Sequence, residues 1–303
     1  MEMIYLEIGM ILYNLYRDTT HWPNKELIRA ILKLGHKVKL IDISKLVGVL
    51  GSPLKGVWYE DTNLTERLSA ALLRNLGSAS CDQFTFRLSI LEHLELSGVP
   101  LINSTYPTRR AKEKYISLVY LEHHGIKIPH TIVSEDLRLS LQNYPNLNDI
   151  VVKPLVGARG LGSIRISDFD IAYRTYKTLS RLGQVIYSQK YIEKPNRDIR
   201  IFVIGDEIVG SIYRKAPPGM WKTNVAQGAT VEAFNPNEEL RELALKSVEI
   251  LELEYAGVDV VEGPDGYYIL EVNPIPSWEG LQTTISFNIA EKIISHVVQI
   301  VKK

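Results

Sequence analysis

The sequence predicts an α/β protein: an open α/β layer at the start, followed by lobes of mixed α+β structure. Three observations predict it. Strand-like and helix-like runs alternate over residues 1–105, the pattern of an open α/β layer. A loop with three glycines, Gly157, Gly160 and Gly162, lies between two apolar runs. Near the end, two β-rich runs flank Gly263-Pro264-Asp265-Gly266 and read as a hairpin.

The elements follow in order. Met3 to Leu12 reads as the first strand. Asn24 to Leu34 places Leu27, Ile28, Ile31 and Leu32 at helical spacing, and Gly35 stops it. Val38 to Ile43 alternates as a strand, and Gln83 to Leu96 is a helix closed by Gly98. Val99 to Asn103 follows as a short strand. Lys112 to His123 is a helix ended by Gly125, and Thr131-Ile132-Val133 is a strand. Ile150 to Pro154 and Gly162 to Ile166 are strands around the glycine loop, and Ile171 to Leu182 is helical. Strands Val185–Gln189, Ile199–Ile204 and Glu207–Arg214 come next, with Gly205-Asp206 joining the last two. Leu240 to Leu251 is a helix, Ala256–Val261 and Tyr268–Pro274 form the late hairpin, and Ile289 to Val301 is the terminal helix.

Composition sets the outer limits. The chain has 303 residues, 45% hydrophobic and 23% charged, which suits a soluble globular protein of two domains or three lobes. Its net charge is zero, so no global field recruits nucleic acid or an anionic membrane. The run Thr108 to Lys114 is basic but mixed with acid, and reads as a solvated helix start. Cys81 is the single cysteine, which leaves no intramolecular disulfide and no thiolate zinc site. No apolar run approaches membrane-spanning length, and the start lacks the basic region of a signal peptide. A cytoplasmic setting is the expectation, and composition leaves a homo-oligomer open.

Chemistry concentrates in three places. In the late hairpin, Asp259, Glu271 and Asn273 are hard oxygen ligands among apolar neighbours, with Glu271 and Asn273 on one face. A five-residue loop, Gly263 to Tyr267, would set Asp259 opposite Glu271, whereas a four-residue loop would spoil that register. Such a set suits Mg²⁺, since burying unpaired carboxylates is costly; the alternative is a hairpin whose acids face water. In the glycine loop, Lys153 ends the entering strand, and bare N–H groups can cradle an anion. Neither a P-loop nor a dinucleotide fingerprint fits, because no Gly-Lys-Ser/Thr follows and a strand comes after the loop; a plain glycine hairpin is the alternative. Third, a three-residue turn, Gly205 to Glu207, would set Asp198 opposite Arg214 with Arg200 on the same face. Arginine there suits bidentate binding of carboxylate or phosphate, or a surface salt-bridge cluster. Beyond it, Trp221-Lys222-Thr223-Asn224 offers an aromatic, a base, a hydroxyl and an amide to a polar substrate, with Trp221 equally suited to packing.

Together these segments resemble the ATP-grasp superfamily and, within it, the RimK-type α-L-glutamate ligases. The resemblance covers roughly residues 98–295. It is carried by Asn103-Ser104, Ala111 to Lys114, the Lys153 to Ser163 loop, Gln189 to Ile192, Asp198-Ile199-Arg200, Trp221 to Asn224, Ala256 to Asp259 and Glu271 to Asn273. The stretch Gly77 to Leu101 looks like the archaeal branch, which adds glutamate to tetrahydromethanopterin or the deazaflavin coenzyme.

The resemblance implies an ATP-grasp fold with an N-terminal open α/β (pre-ATP-grasp) domain over 1–105. A small lobe with the glycine loop would span 106–184, and a C-terminal lobe with the Mg²⁺ hairpin 185–303. It implies that Lys114 and Lys153 contact ATP phosphates, that Gly157, Gly160, Gly162 and Ser163 belong to the covering loop, and that the Gln189, Lys190, Tyr191 and Ile192 backbone reads adenine. Asp198 would be a nucleotide-pocket acid. Arg200, Arg214 and Asn224 would stand near the transferred phosphate and the acyl substrate, and Asp259, Glu271 and Asn273 would hold Mg²⁺, or Mn²⁺ in its place. The implied reaction is attack of an acceptor carboxylate on ATP, then of an amine on the acyl phosphate. Its partners would be a small-molecule carboxylate and an amino acid, L-glutamate first among them. A ligase acting on a protein or carrier-protein C-terminus and an ATP-grasp phosphotransferase are the alternatives. Three departures stand out. Lys190 replaces the usual Glu, Val225-Ala226-Gln227 replaces a His-Arg pair, and Pro276 to Gly280 differs from the commoner Pro-Gly form.

Overall fold

The structure, a computed structural model, describes residues 5–144, 148–155, 157, 161–225 and 228–302. The first third supplies β1 (Glu7–Leu12), β2 (Lys37–Asp42), β3 (Leu46–Val49), β4 (Gly56–Tyr59), β5 (Thr62–Asn63), β6 (Ala70–Leu73) and β7 (Leu101–Ile102). Parallel pairing gives the order β2-β1-β6-β7. Its central strands are apolar beyond Glu7, with Ile8, Met10, Ile11 and Leu72 sealed from water, as a sheet covered on both faces requires. The short strands β3, β4 and β5 form a separate antiparallel sheet that the hydropathy pattern did not announce.

A second sheet contains β8 (Thr131–Ser134), β9 (Ile150–Lys153), β10 (Ile164–Ile166) and β11 (Ile186–Lys190), antiparallel in the order β10-β9-β11-β8. One face buries Ile150, Val152, Ile166 and Ile186 against Ala172 and Tyr176 of the helix Phe169–Arg181. Strand alternation therefore turns Lys153, Tyr187, Gln189 and Thr131 to the other face.

The third sheet is built from β12 (Arg197–Ile204), β13 (Glu207–Lys215), β14 (Thr230–Ala233), β15 (Tyr255–Gly263) and β16 (Gly266–Asn273), ordered β14-β13-β12-β15-β16. Ile199, Ile201, Val258, Val260 and Val272 face the helix Glu238–Ile250. The opposite face carries Asp198, Arg200, Arg214, Asp259 and Glu271 at one end. At the other end Phe202, Ile212 and Tyr255 join the first sheet's core.

Both hairpins of this sheet correct the expected loop lengths. The turns hold two residues, Gly205-Asp206 and Pro264-Asp265, not three and five. A β-bulge then shifts the register, with Val209 the extra residue in one hairpin and Leu270 in the other. The shift restores the pairings Asp198 with Arg214 and Asp259 with Glu271. A bulge moves the register by one residue, which is the amount that selects a face.

Other boundaries move as well. The helix expected over Lys112–His123 is broken at Glu113, whose extended backbone separates Thr105–Lys112 from Lys114–His123. The strand expected over Val99–Asn103 shrinks to Leu101–Ile102, because Pro100 has no N–H for a ladder. The first strand begins at Glu7, and Met3 and Ile4 lie outside the described residues.

The N-terminal layer is fastened to the third sheet. The C-terminal helix Ile289–Lys302 packs beside Trp22–Lys33, with Lys33 Nζ 2.6 Å from Glu291 Oε1. Trp278 is sealed between Trp22 and Phe202, with ring centroids 6.2 and 5.9 Å away. Arg74 reaches Asn24 Oδ1, the Tyr255 hydroxyl and the Pro276 carbonyl. Asn103 is 2% exposed and fully paired. Its Nδ2 donates to the Tyr255 and Pro274 carbonyls at 2.9 and 2.7 Å, and its Oδ1 accepts from Glu254 N and Tyr255 N at 2.7 and 3.1 Å.

Asn103→Ala leaves those four backbone groups unpaired in the interior. Each such group costs roughly 1–3 kcal/mol, and backbone relaxation recovers part of the loss. Denaturant unfolding is expected to show a loss of about 2–4 kcal/mol. A midpoint equal to the parent's would remove Asn103 from this role.

Candidate active site

The charged end of the third sheet is a closed ion cluster. Arg214, 5% exposed, places Nε and Nη2 each 2.7 Å from the Asp198 oxygens and Nη2 3.0 Å from Asp259 Oδ1. Arg200 donates from Nε to Asp259 Oδ1 and from Nη2 to Asp259 Oδ2, the latter at 2.8 Å. Thr223 donates its hydroxyl to Asp198 Oδ2. This hydroxyl was expected to address substrate; the structure gives it to the ion cluster. Burial would raise the Asp259 carboxyl, but Arg200 and Arg214 hold it below the ordinary range. Burial likewise opposes the Arg214 charge, and Asp198 and Asp259 overrule it. Gly257 makes room for the pair: a Cβ there would stand 2.5 Å from Arg200 Nη1 and 3.1 Å from the Pro276 side chain.

Glu271 faces Asp259 across the hairpin and has no hydrogen-bond or ion-pair partner among the described residues. Asn273 lies two residues on, its Oδ1 accepting from Ile275 N at 3.1 Å. Among the described residues no group of three or more His, Cys, Asp or Glu side chains is placed to hold a metal. The candidate donor set is two carboxylates and an amide, all oxygen.

The second sheet brings Lys153 toward this carboxylate, and the helix before it places Lys114 nearby. Lys153 is half-buried, with its Nζ 2.6 Å from Gln189 Oε1. Burial lowers its pKa to about 8, the Glu271 charge opposing the shift and Lys114 adding to it. Lys114 donates to the Gly157 carbonyl at 3.0 Å, tying the helix Lys114–His123 to the glycine loop. Gly162 has φ +77°, the left-handed region where glycine is at home, and Ser163 follows half-buried. Gly160 lies outside the described residues.

Asp149, Arg165, Tyr191 and Trp221 gather near the end of β11. Arg165 pairs bidentately with Asp149 and stacks 3.6 Å from the Tyr191 ring centroid, and Trp221 meets Tyr191 edge-on at 6.3 Å. Lys190 is exposed, Ile192 half-buried, and Asn224 half-buried beside Thr223.

Lys112 escaped the residue-level reading. It ends the helix Thr105–Lys112, and burial lowers its pKa, with Glu271 opposing and Lys114 and Arg74 adding. The signal was present two residues before Lys114, inside the basic run taken for a solvated helix start. Lys194 was missed too: burial lowers its pKa beside Asp198 and Arg214, and it donates to the Arg197 carbonyl at 2.9 Å.

Comparison with known proteins gives this geometry a family. The model of the RimK-like ATP-grasp domain matches residues 111–297. The chain belongs to the RimK-like ATP-grasp family. It is an ATP-dependent, ADP-forming ligase. Tetrahydromethanopterin:α-L-glutamate ligase from Methanocaldococcus jannaschii is 34% identical over 283 residues, 91% of this chain and 94% of that protein. α-Aminoadipate–LysW ligase LysX from Sulfurisphaera tokodaii is 34% identical over 306 residues, 97% of this chain and 100% of that one. The ATP-grasp ligase PsnB, solved with a minimal precursor, shares the fold with a TM-score of 0.76 at 17% identity, covering 96% of this chain and 98% of that one. Among the described residues no helix is long and apolar enough to cross a membrane.

Gly257→Ala is expected to drive Arg200 off Asp259, since one of the two must move. Overpacking of this kind costs roughly 1–3 kcal/mol. Denaturant unfolding measures the loss, and unchanged stability would show that Arg200 relocates freely.

Proposed function

We propose that this ligase adds L-glutamate, or a similar amino acid, to a carboxylate of a small coenzyme such as a pterin or deazaflavin, in the cytoplasm. The observation that carries the reading is that Lys112 and Lys153 lie within the field of Glu271, with Lys114 beside both, and that Glu271 stands opposite the Asp259–Arg200–Arg214 cluster. A site with more cations than carboxylates suits a polyphosphate and a carboxylate that takes up the γ-phosphoryl group to become an acyl phosphate. The relatives named for tetrahydromethanopterin support the acceptor class.

In this reading Lys114 and Lys153 bind the ATP phosphates, the Gly157–Ser163 loop covers them, and the Gln189–Ile192 backbone meets adenine beside Tyr191. Asp198 completes the nucleotide pocket. Asp259, Glu271 and Asn273 would hold Mg²⁺, and their all-oxygen set with an unpartnered Glu271 fits such an ion. When bound, the ion supplies charge neutralisation at the phosphates. Arg214 is locked between two carboxylates and, with Arg200, holds Asp259 in its charged form. Arg200 turns Nη1 away from Asp259, and with Asn224 it lines the acyl-substrate side. The acceptor carboxylate attacks the γ-phosphorus and ADP leaves. The amine then attacks the acyl carbon and releases phosphate. Positively charged, fixed side chains favour the crowded charge of both steps, and the covering loop excludes water from the acyl phosphate.

The similarity to LysX, equal in identity, favours a second reading in which the acceptor is the end of a carrier protein.

Glu271→Gln keeps volume and removes a charge. Turnover is expected to vanish with the unfolding midpoint unchanged, and near-normal turnover at saturating Mg²⁺ would reject the ligand role. The decisive experiment concerns the order of steps. With ATP, Mg²⁺ and an acceptor that supports glutamate-dependent ADP release, hydroxylamine in place of glutamate is expected to yield a hydroxamate. An acceptor that instead gains a stable phosphate would make the protein a phosphotransferase.

A further inference from the structure

We infer that the Gln189 side chain is a positioning residue that aims the Lys153 ammonium at the ATP phosphates, through a hydrogen-bond chain anchored on the Pro129 carbonyl. The inference rests on the nucleotide reading above and concerns an atom set which that reading does not use, since there only the backbone of 189–192 meets the nucleotide.

The register places the parts. Gln189 pairs with Thr131 on β8 and with Val151 on β9, while Lys153 pairs with Tyr187. Lys153, Tyr187, Gln189 and Thr131 thus share one face, with Lys153 diagonal to Gln189. Gln189 is 2% exposed. A buried amide must satisfy both of its ends, and here each end has a partner of fixed polarity.

The polarity runs one way. Thr131 Oγ1 donates its only proton to the Pro129 carbonyl at 2.7 Å. That oxygen can therefore only accept, and Gln189 Nε2 donates to it at 3.0 Å. The amide orientation follows, and Oε1 is left facing Lys153 Nζ at 2.6 Å. Tyr187 closes the arrangement, its hydroxyl 3.4 Å from Nε2. A lysine stem has four rotatable bonds and loses much entropy when held. A neutral carbonyl holds it without cancelling its charge, whereas a carboxylate here would compete with phosphate for the ammonium. The charged groups that act on Lys153 are Glu271, Asp259 and Lys114, and the partner that fixes its position is Gln189.

The test uses nucleotide binding alone, with ATP and Mg²⁺ as the probe, and needs no acceptor. Gln189→Met is expected to weaken ATP binding about tenfold or more, the range for one hydrogen bond to a charged group. In a Lys153→Met background the same change is expected to have no further effect, because the chain then has nothing to aim. A merely structural role would cost the same in both backgrounds. For the parent, affinity is expected to hold below pH 8 and fall above it, as Lys153 loses its proton. Gln189→Met should move that fall to lower pH, since the buried ammonium loses its acceptor. Thr131→Val tests the chain if Gln189→Met does not fold. It should weaken binding less, and Thr131→Ser, which keeps the hydroxyl, should restore it. Additive effects in the double variant, or parental affinity in both Gln189→Met and Thr131→Val, would overturn the inference. A parent that binds no ATP would refute the nucleotide reading itself.

Discussion

Two carboxylates and two guanidiniums share the interior face of one sheet and are paired with one another. Asp198 and Asp259 sit 4% and 7% exposed, where an isolated carboxylate would take up a proton. Arg214 spans both and Arg200 closes on Asp259. Removing one member of such a set strands a buried charge, at about 3–5 kcal/mol for a broken pair. The register, the bare Gly257 and the Thr223 hydroxyl are all consequences of keeping the set complete. Within the set Asp259 is shared by both arginines, and Glu271 opposite it is the carboxylate without a hydrogen-bond or ion-pair partner among the described residues.

The lysines arrive from a different sheet. Lys153 and Gln189 lie on the four-stranded sheet, Lys114 on the helix before it, and the carboxylates on the five-stranded one. The candidate site thus draws on two sheets: one face of the four-stranded sheet has its own core, while Tyr187 and Val133 on the other face join the core beneath the five-stranded sheet. The N-terminal layer belongs with the five-stranded sheet, since Asn103, Arg74 and Trp278 join them through buried contacts.

Much of the site was legible because its residues are unusual where they stand. Asp259, Glu271 and Asn273 interrupt a β-rich apolar pattern, and Lys153 opens a glycine run; both contrasts survive in a linear string. The cross-strand pairs were also legible, although the wrong turn lengths led to them. What escaped depends on space rather than sequence. Lys112 looks like any lysine of a solvated helix until Glu271 is folded opposite it. The role of Thr223 needs Asp198, 25 positions away. The break at Glu113 carries no proline or glycine, so periodicity ran through it. The small sheet β3-β4-β5 is too short and too mixed in polarity for period-two counting.

The two bulges give the molecule a particular tolerance to changes of length. Val209 and Leu270 stand between each turn and the residues that matter. A residue inserted into Gly205-Asp206 or Pro264-Asp265 meets solvent and leaves the pairing beyond the bulge intact. Deleting Val209 or Leu270 removes only the unpaired residue and leaves Asp198 opposite Arg214 and Asp259 opposite Glu271, whereas deleting one paired residue between Gly210 and Arg214 brings Lys215 opposite Asp198 and turns Arg214 to the other face. Changes of length can therefore be absorbed at these turns and bulges, while the spacings from Gly210 to Arg214 and from Glu271 to Asn273 cannot drift.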